Sequence, residues 1–169
     1  MNLKAQPIIR VAKPGDEAGI HDAHMRSIRE VCVKDHGPEE IKGWGNRELG
    51  DRWIEPIKEH HVWILQKNGV IEGYAFMRIY ENEDNKHSHI HGLYLTPTVL
   101  GQGFGKILME MMLEKAKISK VSVIRLFSSI TAHEFYKSFG FIDTEPKKTL
   151  EIGGYPVTSY PMSLETSDV

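Results

Sequence analysis

Ile90-His91-Gly92-Leu93-Tyr94-Leu95-Thr96-Pro97-Thr98-Val99-Leu100-Gly101-Gln102-Gly103-Phe104-Gly105-Lys106-Ile107-Leu108 begins as an apolar, β-branched and aromatic segment and passes through a proline-containing turn. It then enters a loop of alternating glycines, Gly101, Gly103 and Gly105, and a helix whose apolar side starts at Ile107 and Leu108. Strand, glycine loop and helix form an anion-binding device. Glycine lets backbone N–H groups turn toward a ligand with no Cβ in the way, and the free N–H groups and positive end of the helix favour phosphate.

Position excludes two common phosphate loops. A Walker A loop needs glycine at 100 and Ser or Thr after Gly105-Lys106, where the chain has Leu100 and Ile107, so no magnesium-holding hydroxyl is supplied. A dinucleotide fingerprint starting at Gly101 needs glycine at 106, where Lys106 stands, and no βαβ unit with a ribose-binding acid follows.

The remaining pattern resembles the pyrophosphate loop of the GNAT superfamily of acetyl-CoA-dependent N-acetyltransferases, Arg/Gln-x-x-Gly-x-Gly/Ala after a strand ending in an LYV-x-P-like phrase. Leu93-Tyr94-Leu95-Thr96-Pro97 supplies the phrase, and Gly103 and Gly105 are the core glycines. Leu100 stands where the family has Arg or Gln, so a side-chain contribution is absent there. Downstream, Ser129-Ile130-Thr131-Ala132-His133-Glu134-Phe135-Tyr136-Lys137-Ser138-Phe139-Gly140-Phe141 resembles the family's Asn-x-x-Ala-x-x-Phe-Tyr-x-x-x-Gly-Phe signature, with Ser129 replacing Asn. Two linked patterns at the expected separation are more specific than either alone. The resemblance covers roughly 8–164, its N-terminal half by element order only.

Composition agrees with one globular domain. The 169 residues are 40% hydrophobic and 26% charged, with a formal charge of −2, so no global basic field draws the chain to nucleic acid or anionic lipid. Cys32 is the sole cysteine; a buried thiol in an amphipathic helix and a reducing compartment are expected for it. No apolar run reaches the ~18 residues of a membrane span, and Met1-Asn2-Leu3-Lys4 opens no secretory leader, so a cytoplasmic protein is expected.

Along the chain, Ile8-Ile9-Arg10-Val11 reads as a strand closed by Pro14-Gly15, with Asp16 as N-cap of a helix whose stripe is Ile20, Ala23, His24, Ser27, Ile28 and Val31. On that stripe His24 reads as a hydrogen-bonded core histidine. Between Lys34 and Lys58 the periodicity weakens, with short helices at 39–44 and ending at Pro56. In the family this region covers the acceptor amine. Trp44, Trp53, Asp35, Glu39 and Glu40 therefore either shape a cationic-substrate pocket or divide into core tryptophans and a solvated acidic face. Strands at 61–66 and 70–80 join through Asn68-Gly69, and the second turns through Glu81–Asn85 into the strand of the opening stretch. After the loop, Ile107, Leu108, Met111, Met112 and Ala116 continue a helical stripe. A strand at 121–127, a helix at 132–139 ended by Gly140, a strand from Phe141-Ile142 and a closing strand at 153–164 complete the reading.

The resemblance implies an α/β GNAT-like fold: a single mixed, mostly antiparallel sheet, splayed at the cofactor site, with helices on both faces. It implies that backbone groups of Gly101, Gln102, Gly103, Phe104, Gly105 and Lys106 hold the diphosphate of acetyl-CoA. Leu93, Tyr94, Leu95, Ser129 and Ala132 would meet the rest of the cofactor, the Leu93 N–H polarising the thioester beside a bulge at Gly92. Tyr136 falls on the general acid's position, although packing also explains a tyrosine there. The base is open. His87, His89 and His91 alternate, so on a strand they share a face with neighbours ~6.6 Å apart. His89 or His91 would take the ammonium proton with an imidazole pKa near ~6.5. The alternatives are a metal pair, for which no third ligand is marked and no metal is expected, and solvated edge positions; Glu81 is a reserve base. The expected function is acetyl transfer from acetyl-CoA to a small-molecule or peptide primary amine. A non-catalytic acyl-CoA sensor is the alternative, and a metal-dependent hydrolase a further rival. Neither nucleic acid nor membrane is expected as a partner, and homodimers are common in the family.

Overall fold

Ile8–Val11 (β1) pairs antiparallel with Val62–Lys67 (β2), which turns through Asn68 and Gly69, both at positive φ, into Val70–Asn82 (β3). This is a computed structural model, and it describes residues 6–82 and 85–168. The turn expected over Glu81–Asn85 rests partly on Glu83 and Asp84, and the expected leaderless start on Met1–Lys4; these lie outside the described residues.

β3 pairs antiparallel with Asn85–Leu95 (β4), β4 runs parallel to Val123–Ser129 (β5), and β5 pairs antiparallel with Tyr155–Glu165 (β8). Ile142–Asp143 (β6) and Lys148–Ile152 (β7) both pair with β8. The sheet is thus mixed and mostly antiparallel, as the resemblance implied, with one parallel contact at its centre. The sequence reading missed β7: Gly153 and Gly154, at positive φ, form the turn between β7 and β8 rather than the start of a strand.

Helices cover both faces. On one, Ile20, Ala23, Met25 and Ile28 of Glu17–Glu30 (α1) pack with Trp44 of Pro38–Trp44 (α2) and Ile57 of Ile54–Lys58 (α3) in two adjoining clusters. On the other, Leu108, Met109, Met112 and Ala116 of Phe104–Ile118 (α4) and Tyr136 of His133–Lys137 (α5) pack on Leu65, Met77, Ile90, Ile124 and Leu126. The α4 stripe is rotated from the sequence reading. Ile107 is exposed and Met109 is buried, because the helix starts at the loop and turns Leu108 and Met109 toward the sheet.

Other expectations shift for physical reasons. Asp16 precedes α1, but its carboxylate accepts from Arg10 (2.7 and 2.9 Å) and the Lys13 amide (2.8 Å) instead of capping the helix. Cys32 sits in a 3-10 turn just after α1 and is buried. Pro56 lies within α3, in its first turn, where a missing N–H breaks nothing. Trp44 and Trp53 are core residues at 1% and 3% exposure, and Glu40 accepts from the Thr158 amide, clamping α2 to β8. Asp35 and Glu39 are exposed, so the acidic pocket considered over 35–44 does not form.

Candidate functional site

The glycine loop opens where β4 ends. Thr96 O accepts from the amides of Val99 (3.1 Å) and Leu100 (3.0 Å), closing the turn around Pro97. Gly101 (φ +76°) and Gly103 (φ +88°) then take left-handed conformations, and Gly103 caps α4. Among the described residues no backbone carbonyl accepts from amides 101 to 106, and the next amide, Ile107, bonds to Gly103 O at 3.3 Å. The loop therefore presents successive free donors at a helix N-terminus. Phe104 turns its ring into the core and so offers the site only backbone, the exposed Gln102 donates through Nε2 to Thr98 O (2.9 Å), and Lys106 extends into solvent.

Beside the loop the sheet opens. β4 and β5 pair over His87–Ile90 and Val123–Leu126 and then part. The parting coincides with a bulge on β4. Phe76 faces Gly92 and Met77 faces Ile90, so His91 is the extra residue. Gly92 is required by crowding: a Cβ there would lie 2.8 Å from the Tyr74 hydroxyl. Past the bulge, the edge of β4 that faces β5 has no ladder partner, and a cavity of about 330 Å³ occupies the gap. Leu93, Tyr94 and Leu95 form one wall, Ser129, Ala132 and Phe135 the other, and Gly101, Gly103, Gly105 and Lys106 the mouth. Leu100, 44% exposed, adds an apolar surface at that mouth. Ser27, Val31 and Cys32 also line the cavity; sequence reasoning placed none of them there, because their tie to β4 is purely tertiary. Burial raises the Cys32 thiol to about 11, which keeps it protonated.

A small cleft of about 20 Å³ adjoins the inner end, lined by His91, Gly92, Leu93, Ser129, Ala132 and Tyr136 among others. Tyr136 is 4% exposed, held edge-on by Phe135 and Phe141, and its burial pushes the phenol pKa up. Ser129 Oγ accepts from the Ala132 amide at 3.2 Å, which fixes the turn into α5 and leaves the hydroxyl proton free to donate.

The histidine row shares one sheet face. His89 and His91 have ring centroids 4.7 Å apart, His87 stacks on Tyr80, and His91 stacks on Phe76 with Nε2 3.0 Å from the Tyr80 hydroxyl. Only His91 reaches the small cleft. The ordinary imidazole value expected from the sequence does not hold. His89 falls to about 4 through burial and then through His91, His87 and Arg125. His91 falls to about 4 through burial, Arg78 and His61. Glu81 is exposed and pairs with Lys86 at 3.3 Å. Among the described residues no three His, Cys, Asp or Glu side chains form a metal-holding group.

A family model described as an acetyltransferase (GNAT) domain matches residues 32–164. The chain belongs to that family. It is an acyltransferase by membership, and its solved relatives share its fold over nearly its whole length. A GCN5-related N-acetyltransferase from Rhodopseudomonas palustris is 20% identical, with a TM-score of 0.72 covering 98% of this chain and 99% of that one. The PaiA N-acetyltransferase of Thermoplasma acidophilum, in complex with coenzyme A, is 15% identical with a TM-score of 0.69, covering 95% and 99%. YncA of Salmonella typhimurium, solved with its cofactor acetyl-CoA, is 17% identical with a TM-score of 0.64, covering 96% and 95%. No curated protein sequence matches significantly. Among the described residues no helix is long and apolar enough to cross a membrane.

Proposed function

We propose that this GNAT chain transfers the acetyl group of acetyl-CoA to a primary amine by direct attack. The observation that carries the reading is the juxtaposition of two unpaired backbone arrays, the free amides 101–106 and the open edge of β4, along one cavity. The amides suit a diphosphate, and the open edge suits the amide-bearing arm of coenzyme A, which pairs as an added strand.

The amine lone pair attacks the thioester carbonyl carbon, the oxyanion accepts from the Leu93 N–H beside the bulge, and collapse breaks the C–S bond. The amine nitrogen loses one proton and the departing sulfur gains one. Tyr136, a phenol at every working pH, donates toward that sulfur. His91 at the cleft, with His89 behind it, receives the amine proton directly or through water; both are unprotonated above about pH 4, although such depressed values make them weak bases.

The test is turnover of an amine panel by purified protein and by Tyr136→Phe. Turnover that falls about 100-fold in the variant supports the assignment. Coenzyme A binding with no acetylation of any amine would instead identify an acyl-CoA sensor.

A further inference from the structure

On the α1 side of the bulge lies a cationic cluster that acetyl transfer itself does not use. Arg47 and Arg52 belong to the segment between α2 and α3. The Arg52 Nη2 donates to Nδ1 of both His21 (3.1 Å) and His24 (3.0 Å). A guanidinium only donates, so both imidazoles are neutral and carry their proton on Nε2. The His21 Nε2–H donates to Arg47 O at 2.9 Å, and Arg47 Nε donates to Trp44 O at 3.1 Å.

This accounting leaves donors over. Arg47 Nη2, Arg52 Nε, His24 Nε2 and Trp53 Nε1 are buried and find no acceptor in the protein. Among the described residues the ion pairs of arginine are those of Arg10, Arg26 and Arg78; neither Arg47 nor Arg52 has a carboxylate partner. Two half-buried guanidiniums without a counter-ion are an expensive arrangement. A purely structural cluster would be relieved by one acidic side chain, and none of the described residues supplies it. Every leftover group is a donor and two of them belong to guanidiniums with no carboxylate partner, so the cluster is complementary to an anion.

Place in the fold says which anion. His24 lies 5.3 Å from the Tyr74 ring and 4.3 Å from the Tyr94 ring, and the Tyr74 hydroxyl lies against Gly92. The cluster does not itself line the cavity; it sits one aromatic layer from the bulge, behind Tyr94, which lines both the cavity and the small cleft beside Tyr136. The β7–β8 turn rests on it: a Cβ at Gly153 would lie 2.6 Å from Arg47 Nη1.

We propose that Arg47 and Arg52, with His24 and Trp53, hold the carboxylate of the acceptor, so that the substrate class is a small amine bearing a carboxylate, such as an amino acid. The proposal rests on the acetyl-transfer reading and names the acceptor of that same site. Paired guanidiniums suit a planar carboxylate.

The experiment compares acceptors that differ only in that group, tyrosine against tyramine and lysine against cadaverine, with phosphoethanolamine as the phosphate arm. Wild-type protein is expected to favour at least one amino acid by tenfold or more in kcat/KM. Arg47→Gln and Arg52→Gln are expected to raise the KM for that acid at least tenfold and shrink the preference toward unity, with KM for acetyl-CoA within twofold. Equal or better use of the decarboxylated amines by the wild type overturns the proposal, as does a preference for phosphoethanolamine or an equal loss on both members of a pair. If no amine is turned over, the acetyl-transfer reading fails, and the anion site is read separately by melting with glutarate. Stabilisation of the wild type that disappears in Arg52→Gln supports the site, and no stabilisation of the wild type overturns it.

Discussion

Tyr136 is where one atom is expected to separate chemistry from packing. Tyr136→Phe keeps the edge-on contacts with Phe135 and Phe141, so its melting temperature should stay within about 2 °C of the wild type while kcat falls about 100-fold. A variant that loses both together would mark the phenol as structural. Gly92 gives the converse case. Gly92→Ala drives a methyl to 2.8 Å from the Tyr74 hydroxyl, and overpacking of that kind costs about 1–3 kcal/mol, readable as a lower urea midpoint at unchanged m. At this scale the sequence was partly legible. Tyr136, Gly101 and Gly103 stand out because the spacing of aromatics and glycines is a local property of the chain. Arg47 and Arg52 do not, because their significance is the absence of an acid nearby, and only tertiary packing decides what is nearby.

Among elements, the hold of α1 on the sheet determines whether the cavity keeps its wall. Glu72, extra in the register where Leu65 faces Gly73 and Gln66 faces Ile71, is buried; it pairs with Arg26 at 2.9 Å and accepts from the Thr96 hydroxyl. Arg26 also reaches Ile71 O at 3.0 Å. Glu72→Ala leaves Arg26 with Asp22 (2.7 Å) and Ile71 O, but removes its tie to β3 and unpairs the buried Thr96 hydroxyl; it is expected to cost about 1–3 kcal/mol, with a matching fall in the chemical-denaturation midpoint, and no measurable change would show that α1 is held by its apolar face alone. The helix periodicity, the Asn-Gly hairpin and the strand before the glycine loop were legible because each repeats a local pattern. The helix ended by Gly140 and the strand after Phe141 were legible too, though shorter than expected; the separate β7 was not, since a five-residue strand gains its stability from its neighbour β8.

For the whole molecule, pH should act on stability through imidazoles held neutral. His89 and His91 are depressed to about 4, and His21, His24 and His61 shift in the same direction, burial leading in each case. Below about 6.5 the unfolded chain takes up protons that the native state refuses, so the unfolded state binds more protons and native stability declines as pH falls. The decline should run from about pH 6.5 to about pH 4 and be absent between pH 7 and 8, as melting temperatures across that range would show. Flat melting temperatures down to pH 4.5 would contradict the neutral assignment. The same depression predicts no limb near pH 6.5 from the free enzyme in kcat/KM. The two-faced layering and the parting of β4 from β5 were both anticipated only through family resemblance. Composition cannot encode where two paired strands stop pairing.

That parting leaves a short row of main-chain groups past Ile90 with no ladder partner on the β5 side among the described residues. Their deuterium uptake should accordingly be fast in the free protein and slow once the donor thioester has docked, giving a residue-resolved signature of occupancy that needs neither an acceptor nor a turnover.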